Sequence, residues 1–367
     1  LKNTIHKNAV ISVAISIFLA LTIMTIWLIK SPGREVSSLT EQFIEQHMRN
    51  ENGTLATYLE PASSTDPDMA AGKEALSESL GLWMQYAVLQ QDKQKFDESL
   101  TILKSYFLSP QHYIRWKLTP TGQSEVSTNA LGDDLRIVDA LLKAFSLWNE
   151  ESYMSLAKEV SSTLQSIGMQ NGYLVDFHDF KQNQSAQTLS LAYVDLSAMK
   201  GMLRNHLMQE PIFERHKNLL LDMPNDGVFY PKAYQIPSRQ YVYDEQVNII
   251  DQLIVGLHVT ETGQKPAGLL AFLKREFQQH HQIMGQYTRK TRAPAVAYES
   301  PAVYGLAVML ALKCDDPQWA EQLEKRMLNL RDQNPAYSGG YVFNNNTHIF
   351  DNLLPLLAEV TLNNNHR

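Results

Sequence analysis

The chain has 367 residues, 44% hydrophobic and 19% charged, with 32 Lys and Arg against 39 Asp and Glu for a formal charge of -7. A chain this apolar folds around a large core rather than staying disordered, and its acidic excess lacks the clustered basic footprint that nucleic acid requires. One cysteine, Cys314, supplies neither an internal disulfide nor a cysteine-rich zinc or iron–sulfur site.

From Ala9 to Ile29 the sequence carries no charge. A helix of that length spans about 30 Å, the thickness of a bilayer's hydrocarbon core. Lys2 and Lys7 precede it, Lys30 and Arg34 follow it, and Trp27 falls where an indole suits the membrane interface. Residues 9–29 are therefore read as a transmembrane anchor, with 1–8 cytoplasmic and the rest of the chain outside the cell. A cleavable signal peptide is the alternative, and it would release the chain; the segment shows no small-residue cleavage pattern. Residues 30–68, with Pro32, Gly33 and the turn-rich run PASSTDPD, read as a tether, and 69–367 as the folded domain.

Beyond Met69 the 3.6-residue period dominates. Leu76, Leu80, Trp83, Met84 and Val88 line one face; Phe96, Leu100, Leu103 and Phe107 the next; Leu135, Val138, Leu142, Phe145 and Trp148 another. Similar stripes predict helices over 153–167, 189–203, 211–221, 245–259, 267–283, 301–313, 317–330 and 349–360. Short strand-like stretches fall at Tyr173 to Phe177, Tyr241 to Asp244 and Gly340 to Phe343. About a dozen helices in pairs, without the fixed repeat of a solenoid, fit an all-α (α/α)6 toroid with short β segments in its connections.

The phosphate-loop, dinucleotide, nucleophile-elbow and HExxH zinc motifs are absent, and His280-His281 sits in a polar helix end, so no metal or cofactor is expected. What remains is carboxylates among aromatics. Glu78 lies on an otherwise apolar helix near Trp83 and Tyr86, either on a wet face or as a carboxyl of raised pKa. Asp133 and Asp134 open an amphipathic helix, and Asp244 follows Tyr241 and Tyr243 at a strand-to-helix transition; each is also an ordinary helix-capping position.

Taken in order, these segments resemble glycoside hydrolase family 8. SESLGLWM keeps Ser77, Glu78, Gly81 and Met84 of the family's S-E-G-x-G-Y-G-M. ALGDDLRIVDALLKAFSLW matches its A-[ST]-D-[AG]-D signature at Ala130, Asp134, Ile137, Ala140, Leu141, Leu142, Ala144 and Trp148, and YDE matches its Y-D-A at Tyr243 and Asp244. Trp116 looks like the family's tryptophan between the second and third helices. The resemblance covers roughly residues 70 to 360. It implies an inverting, endo-acting hydrolase in which Glu78 is the general acid and Asp244 the general base. Asp134, with Asp133 in place of a missing aspartate, would bind the central sugar, and Trp83, Trp116, Tyr193 and Tyr243 would stack on or line the substrate; the aromatics could equally be core.

Three departures stand out: Gly132 replaces the signature's first Asp, Trp83 a glycine, and Val247 an arginine. They point to an altered substrate more than to lost activity. The resemblance further implies a secreted polysaccharide as partner, an exopolysaccharide or a β-1,4-linked glucan, met beside an exopolysaccharide synthase complex. A non-catalytic polysaccharide-binding subunit and a polysaccharide lyase of the same toroidal form are the alternatives.

Overall fold

The computed structural model describes residues 38–365 apart from Thr65, Pro67, Asp68 and Asn225. The expected anchor at 9–29 lies outside the described residues. Among those described, no helix is long and apolar enough to cross a membrane.

Twelve α-helices follow one another in the described chain: α1 Leu39–His47, α2 Ser77–Leu89, α3 Lys93–Ile102, α4 Leu131–Trp148, α5 Glu151–Ile167, α6 Leu196–Arg204, α7 Glu210–Leu221, α8 Ile249–Thr260, α9 Ala267–His280, α10 Pro301–Lys313, α11 Pro317–Leu328 and α12 Phe350–Asn365. The even-numbered helices form an inner ring. α2 packs on α4, α4 on α6, α8 on α10, α10 on α12, and α12 returns to α2. Between α6 and α8 the ring is completed by the 3-10 turn Leu191–Tyr193, which touches both α4 and α8. There His258 Nε2 lies 3.0 Å from the Ala192 carbonyl oxygen.

Sequence dictates which helices go inside. α10 is apolar all round and buries nearly every residue from Pro301 to Ala311, as a helix enclosed by others must. α5 buries only the stripe Tyr153, Leu156, Ala157, Val160, Ser161 and Leu164 and turns its polar face outward. At Gly305 a Cβ would fall 2.7 Å from the Leu354 backbone, so glycine is what lets α10 and α12 approach so closely.

The folded unit begins at Leu39, some thirty residues before the expected boundary at Met69. Phe43, Ile44 and Met48 are fully buried, and the Tyr86 hydroxyl of α2 donates to Glu41 at 2.7 Å. The helix is only nine residues long and lies among turn-forming residues, which hid a core element inside an apparent tether. The predicted helix over 189–203 is also divided: Thr188–Ser190 is a strand, Leu191–Tyr193 a 3-10 turn, and Asp195 caps a new helix by accepting from Ala198 N at 3.0 Å.

Candidate active site

Each inner helix is reached from an outer one by a connection that returns to the same end of the ring, so the inner N-termini share one mouth. Glu78, Asp133, Asp251 and Asp351 occupy first turns of α2, α4, α8 and α12 there. Asp351 is consumed structurally: its Oδ1 accepts from Ser300 Oγ at 2.6 Å and Ala302 N at 3.2 Å, which fixes the start of α10.

Glu78 and Asp133 are joined into one site. Ala75–Leu76 pairs antiparallel with Lys117–Leu118, and Ser77 N donates to the Trp116 carbonyl at 3.0 Å, so the chain enters α2 in a fixed frame. Ser77 Oγ then donates to Asp133 Oδ2 at 2.5 Å, tying the start of α2 to that of α4. Arg136, one turn beyond Asp133, reaches both neighbours: its guanidinium is 3.5 Å from Glu78 Oε1 and 3.5 Å from Asp133 Oδ1. Asp133 is buried and Arg136 nearly so, while 31% of the Glu78 side chain remains open to the mouth.

Burial among protein atoms pushes the Glu78 carboxyl up to about 7; Arg136 opposes this, and the Asp133 and Asp251 charges add to it. Glu78 is thus a carboxyl that holds its proton near neutral pH and faces open space, the requirement for a general acid. Burial raises Asp133 as well, offset by Arg136, the Ser77 hydroxyl and the Glu78 N–H. A reaction that needs protonated Glu78 loses rate as the group ionises. kcat/KM is therefore expected to fall about tenfold per pH unit above pH about 7. A pH–rate profile checks this; an alkaline limb starting near the ordinary carboxyl value of 4.5 would contradict it.

Asp133 and Asp134 do not act together. Neighbouring helix positions diverge by about 100°, so when Asp133 faces Glu78 its successor turns away. Asp134 is only 1% exposed, receives Asn129 Nδ2 at 2.6 Å, and lines a cavity of about 10 Å³ toward α5 with His178, Phe180 and Leu164. Its Oδ1 has no partner among the described residues, and burial raises its pKa strongly. Asp134 therefore points away from Glu78, and Asp133 is the aspartate placed beside it.

Trp83 is likewise placed away from the mouth. It is 1% exposed, 5.2 Å from the Tyr86 ring, and flanked by Arg49 at 5.1 Å and Lys95 Nζ at 4.9 Å on the side of α1 and α3. It is a core residue and forms no wall of the Glu78 site. Trp116 stays beside Ser77, half-buried, with Lys117 Nζ 5.2 Å from its ring. Tyr193 packs directly over Gly132: a Cβ there would lie 2.6 Å from Tyr193 Cδ1. The ring occupies the space that a side chain at the family's first aspartate position would need. Burial and the Asp133 and Glu78 charges both raise its hydroxyl pKa, which places it in the same cluster. Gly132→Ala is expected to displace this ring and to cost about 1–3 kcal/mol by overpacking, read as a lowered unfolding midpoint with a raised KM.

Asp244 and Tyr243 lie on the rim. Asp244 Oδ2 is 3.0 Å from Lys232 Nζ. Tyr243 donates to the Pro224 carbonyl at 2.9 Å and carries Arg289 at 3.8 Å over one ring face, which leaves only the other face for stacking. The sequence did not single out Arg136, although its i,i+3 spacing from Asp133 signals a shared face. Nor did it single out Phe177 and Tyr298, exposed aromatics of the mouth (44% and 54%). Phe177 follows Asp176, whose carbonyl accepts from the α4 N-terminus; the Tyr298 carbonyl accepts from Gly285 N, and Gly285 in turn accepts from Ile249 N of α8.

Comparison with known proteins gives this arrangement a family. The model of glycosyl hydrolases family 8 matches residues 35–177. A relative from Bacillus subtilis (strain 168), "Putative lipoprotein YdaJ", is 35% identical over 327 residues, covering 88% of this chain and 86% of its own. The chain belongs to glycosyl hydrolase family 8. It is a glycosidase by that membership, and the family match begins at residue 35, close to the observed start of the folded unit. Among solved structures, a novel alpha-amylase from Clostridium perfringens has 26% identity and a TM-score of 0.80, covering 89% of this chain and 98% of its own. Endoglucanase Cel10 from Klebsiella pneumoniae, a family 8 glycosyl hydrolase, has 15% identity and a TM-score of 0.61 over 90% and 99%. The latter likeness shows the shared barrel.

Proposed function

We propose that this family 8 hydrolase cleaves a secreted polysaccharide internally and with inversion, and that Glu78 is its general acid. The observation that carries the reading is Glu78 itself: a carboxyl at the mouth of the ring, held by Arg136 and Asp133, with its pKa pushed up to about 7. Inversion requires a second carboxyl about 6.5–9.5 Å away, across a space that holds one water. The segment from Asp244 to Asp251, on the rim and first turn of α8, carries the carboxylates available for that task, and the family motif singles out Asp244. Exposed Phe177 and Tyr298 supply apolar ring faces on which pyranoses stack.

An anchor at residues 9–29 would hold the domain outside the cell, at the surface where an exopolysaccharide emerges from its synthase complex. The lipoprotein name of the Bacillus subtilis relative supports a membrane-tethered setting. The Clostridium perfringens neighbour, an alpha-amylase, brings α-linked glucans into consideration beside β-1,4-linked ones.

The experiment is a reducing-end assay with soluble starch, carboxymethylcellulose, xylan and exopolysaccharide from the producing cells. The reading expects new reducing ends with an early fall in viscosity on at least one polymer, and no absorbance near 235 nm from unsaturated ends. Binding without release on every polymer would sink it in favour of a non-catalytic binding subunit.

A further inference from the structure

Outside the mouth, a groove of about 500 Å³ runs between the outer helix α7 and the hairpin of Ala233–Gln235 and Gln240–Val242. None of the residues that line it belongs to the Glu78 cluster. Three tyrosines form a row along it. The Tyr173 and Tyr234 rings lie 5.4 Å apart, and Tyr234 and Tyr241, directly paired across the hairpin, 5.1 Å apart. The row is fixed to α7 at both ends. Buried His216 accepts from Leu174 N at 3.1 Å, next to Tyr173, and its other ring nitrogen lies 2.8 Å from the Ile212 carbonyl oxygen. At the other end the Tyr241 hydroxyl donates to the Leu219 carbonyl at 2.7 Å. Tyr173 and Tyr241 stay partly open to solvent.

Two guanidiniums border the row, those of Arg215 and Arg239, and neither makes an ion pair or hydrogen bond with the described residues. Arg215 Cζ sits 5.3 Å from the Tyr173 ring, and its Nε lies against Gly172, where a Cβ would come within 2.9 Å. The guanidinium is thus seated before any ligand arrives, which spares ordering entropy on binding. Arg239 ends the hairpin turn at φ +56°, a left-handed position that glycine or asparagine fills at less cost. Of the two acids that line the groove, Glu214 is paired with Lys217 at 3.1 Å. The other, Asp222, stands at the Tyr241 end, where its charge adds to burial in raising that hydroxyl. Arg239 and Arg215 both act on Tyr234, against the burial that raises it. Positive charge therefore gathers at the Tyr173 and Tyr234 end.

We infer that this groove is a second saccharide site, separate from the catalytic mouth, and that it takes a sugar carrying a carboxylate, as a uronic acid unit of an acidic polysaccharide does. Tyrosine rings offer apolar surface to the C–H faces of a pyranose, and a guanidinium pairs with a carboxylate through two parallel N–H donors. A neutral sugar would leave both guanidiniums unused, and a bare anion would leave the tyrosine row unused. The hairpin that carries Tyr234 and Tyr241 continues to Asp244 on the rim, so a chain held in the groove lies next to the mouth. The groove keeps an acidic stretch of polymer at the enzyme and touches no reacting atom. The inference rests on the reading of the substrate as a polysaccharide and is independent of the role given to Glu78.

The test is calorimetric titration of the full chain with tetragalacturonate, cellotetraose and inorganic phosphate. Tetragalacturonate is expected to bind at least about tenfold more tightly than either of the others, with an affinity that falls as salt is added. Arg215→Gln combined with Arg239→Gln is expected to weaken tetragalacturonate about tenfold or more, and Tyr173→Ala about threefold or more. Reducing-end release from a neutral polymer should stay within about twofold in the double arginine variant, since neither arginine touches the mouth. Both arginines are exposed, so their exchange should leave the fold intact, which circular dichroism checks. Equal affinity for tetragalacturonate and cellotetraose overturns the inference, as does unchanged affinity in the double variant. Phosphate that binds as tightly as tetragalacturonate overturns it in favour of a plain anion site. Binding is read without turnover, so Glu78→Gln should bind tetragalacturonate as the wild type does. A chain that hydrolyses no polymer yet keeps arginine-dependent binding would sink the proposed reaction and leave the groove's assignment standing.

Discussion

Glu78→Gln is expected to lower polysaccharide hydrolysis by about 10²- to 10⁴-fold, a loss of about 3–5 kcal/mol of transition-state stabilisation. The amide keeps the size of the side chain but cannot release a proton to the departing oxygen. Folding should survive, because the wild-type group is itself about half neutral near pH 7. A structural role would impair all substrates alike. A proton donor matters only when the leaving oxygen needs a proton. A glycosyl fluoride of the matching sugar, whose leaving group departs unaided, should therefore recover most of the lost rate. The alkaline limb of the wild-type pH profile should vanish from the residual activity. Equal losses on polymer and fluoride would remove Glu78 from the role of acid.

Trp83→Ala is expected to act in the opposite way, costing about 3–5 kcal/mol of stability with little change in KM. The indole is fully buried, and its removal leaves a cavity among Tyr86, Arg49 and Lys95 that the surrounding helices cannot close. The two cations add about 0.5–2 kcal/mol each when partly desolvated over an aromatic ring. Lys95 also pairs with Glu41 at 2.9 Å, so the lesion should loosen α1, the helix that begins the folded unit. Denaturant unfolding reads the loss directly. A raised KM at unchanged stability would instead return Trp83 to the substrate.

The contrast between these two residues shows how much of the site was legible in the sequence. Glu78 and Asp133 were legible because the 3.6-residue period reveals the inner helices and the family motif marks where their first turns begin, whereas Tyr193 sits in a 3-10 turn that the predicted helix over 189–203 concealed. A motif gives position along the chain but not direction around a helix. Asp134 therefore matched the signature while its side chain turned toward α5, and Asp133, at the less specific position, took the place beside Glu78. Trp83 misled for a similar reason: five residues beyond Glu78 it lies more than a turn down α2, on the side of α1 and α3.

α10 was read within its observed bounds because Pro301 opens an unbroken apolar run. α1 was not, since nine residues between turn-rich stretches carry too few periods to distinguish a core helix from an amphipathic fragment in a linker. Asp251 was hidden by an ordinary explanation. An acidic residue in a first turn complements the helix dipole wherever it occurs.

The central claim is that Glu78 protonates the leaving oxygen while a carboxylate across the ring draws a proton from water attacking the opposite face. Its most direct measurement is proton NMR of the first products released from the preferred polysaccharide, recorded before the new reducing ends mutarotate. The account predicts that the fresh reducing end carries the anomeric configuration opposite to that of the cleaved bond. A first product with the configuration of the original linkage would contradict it, because retention requires a covalent intermediate and a nucleophile close to the acid, with no water held between two distant carboxylates.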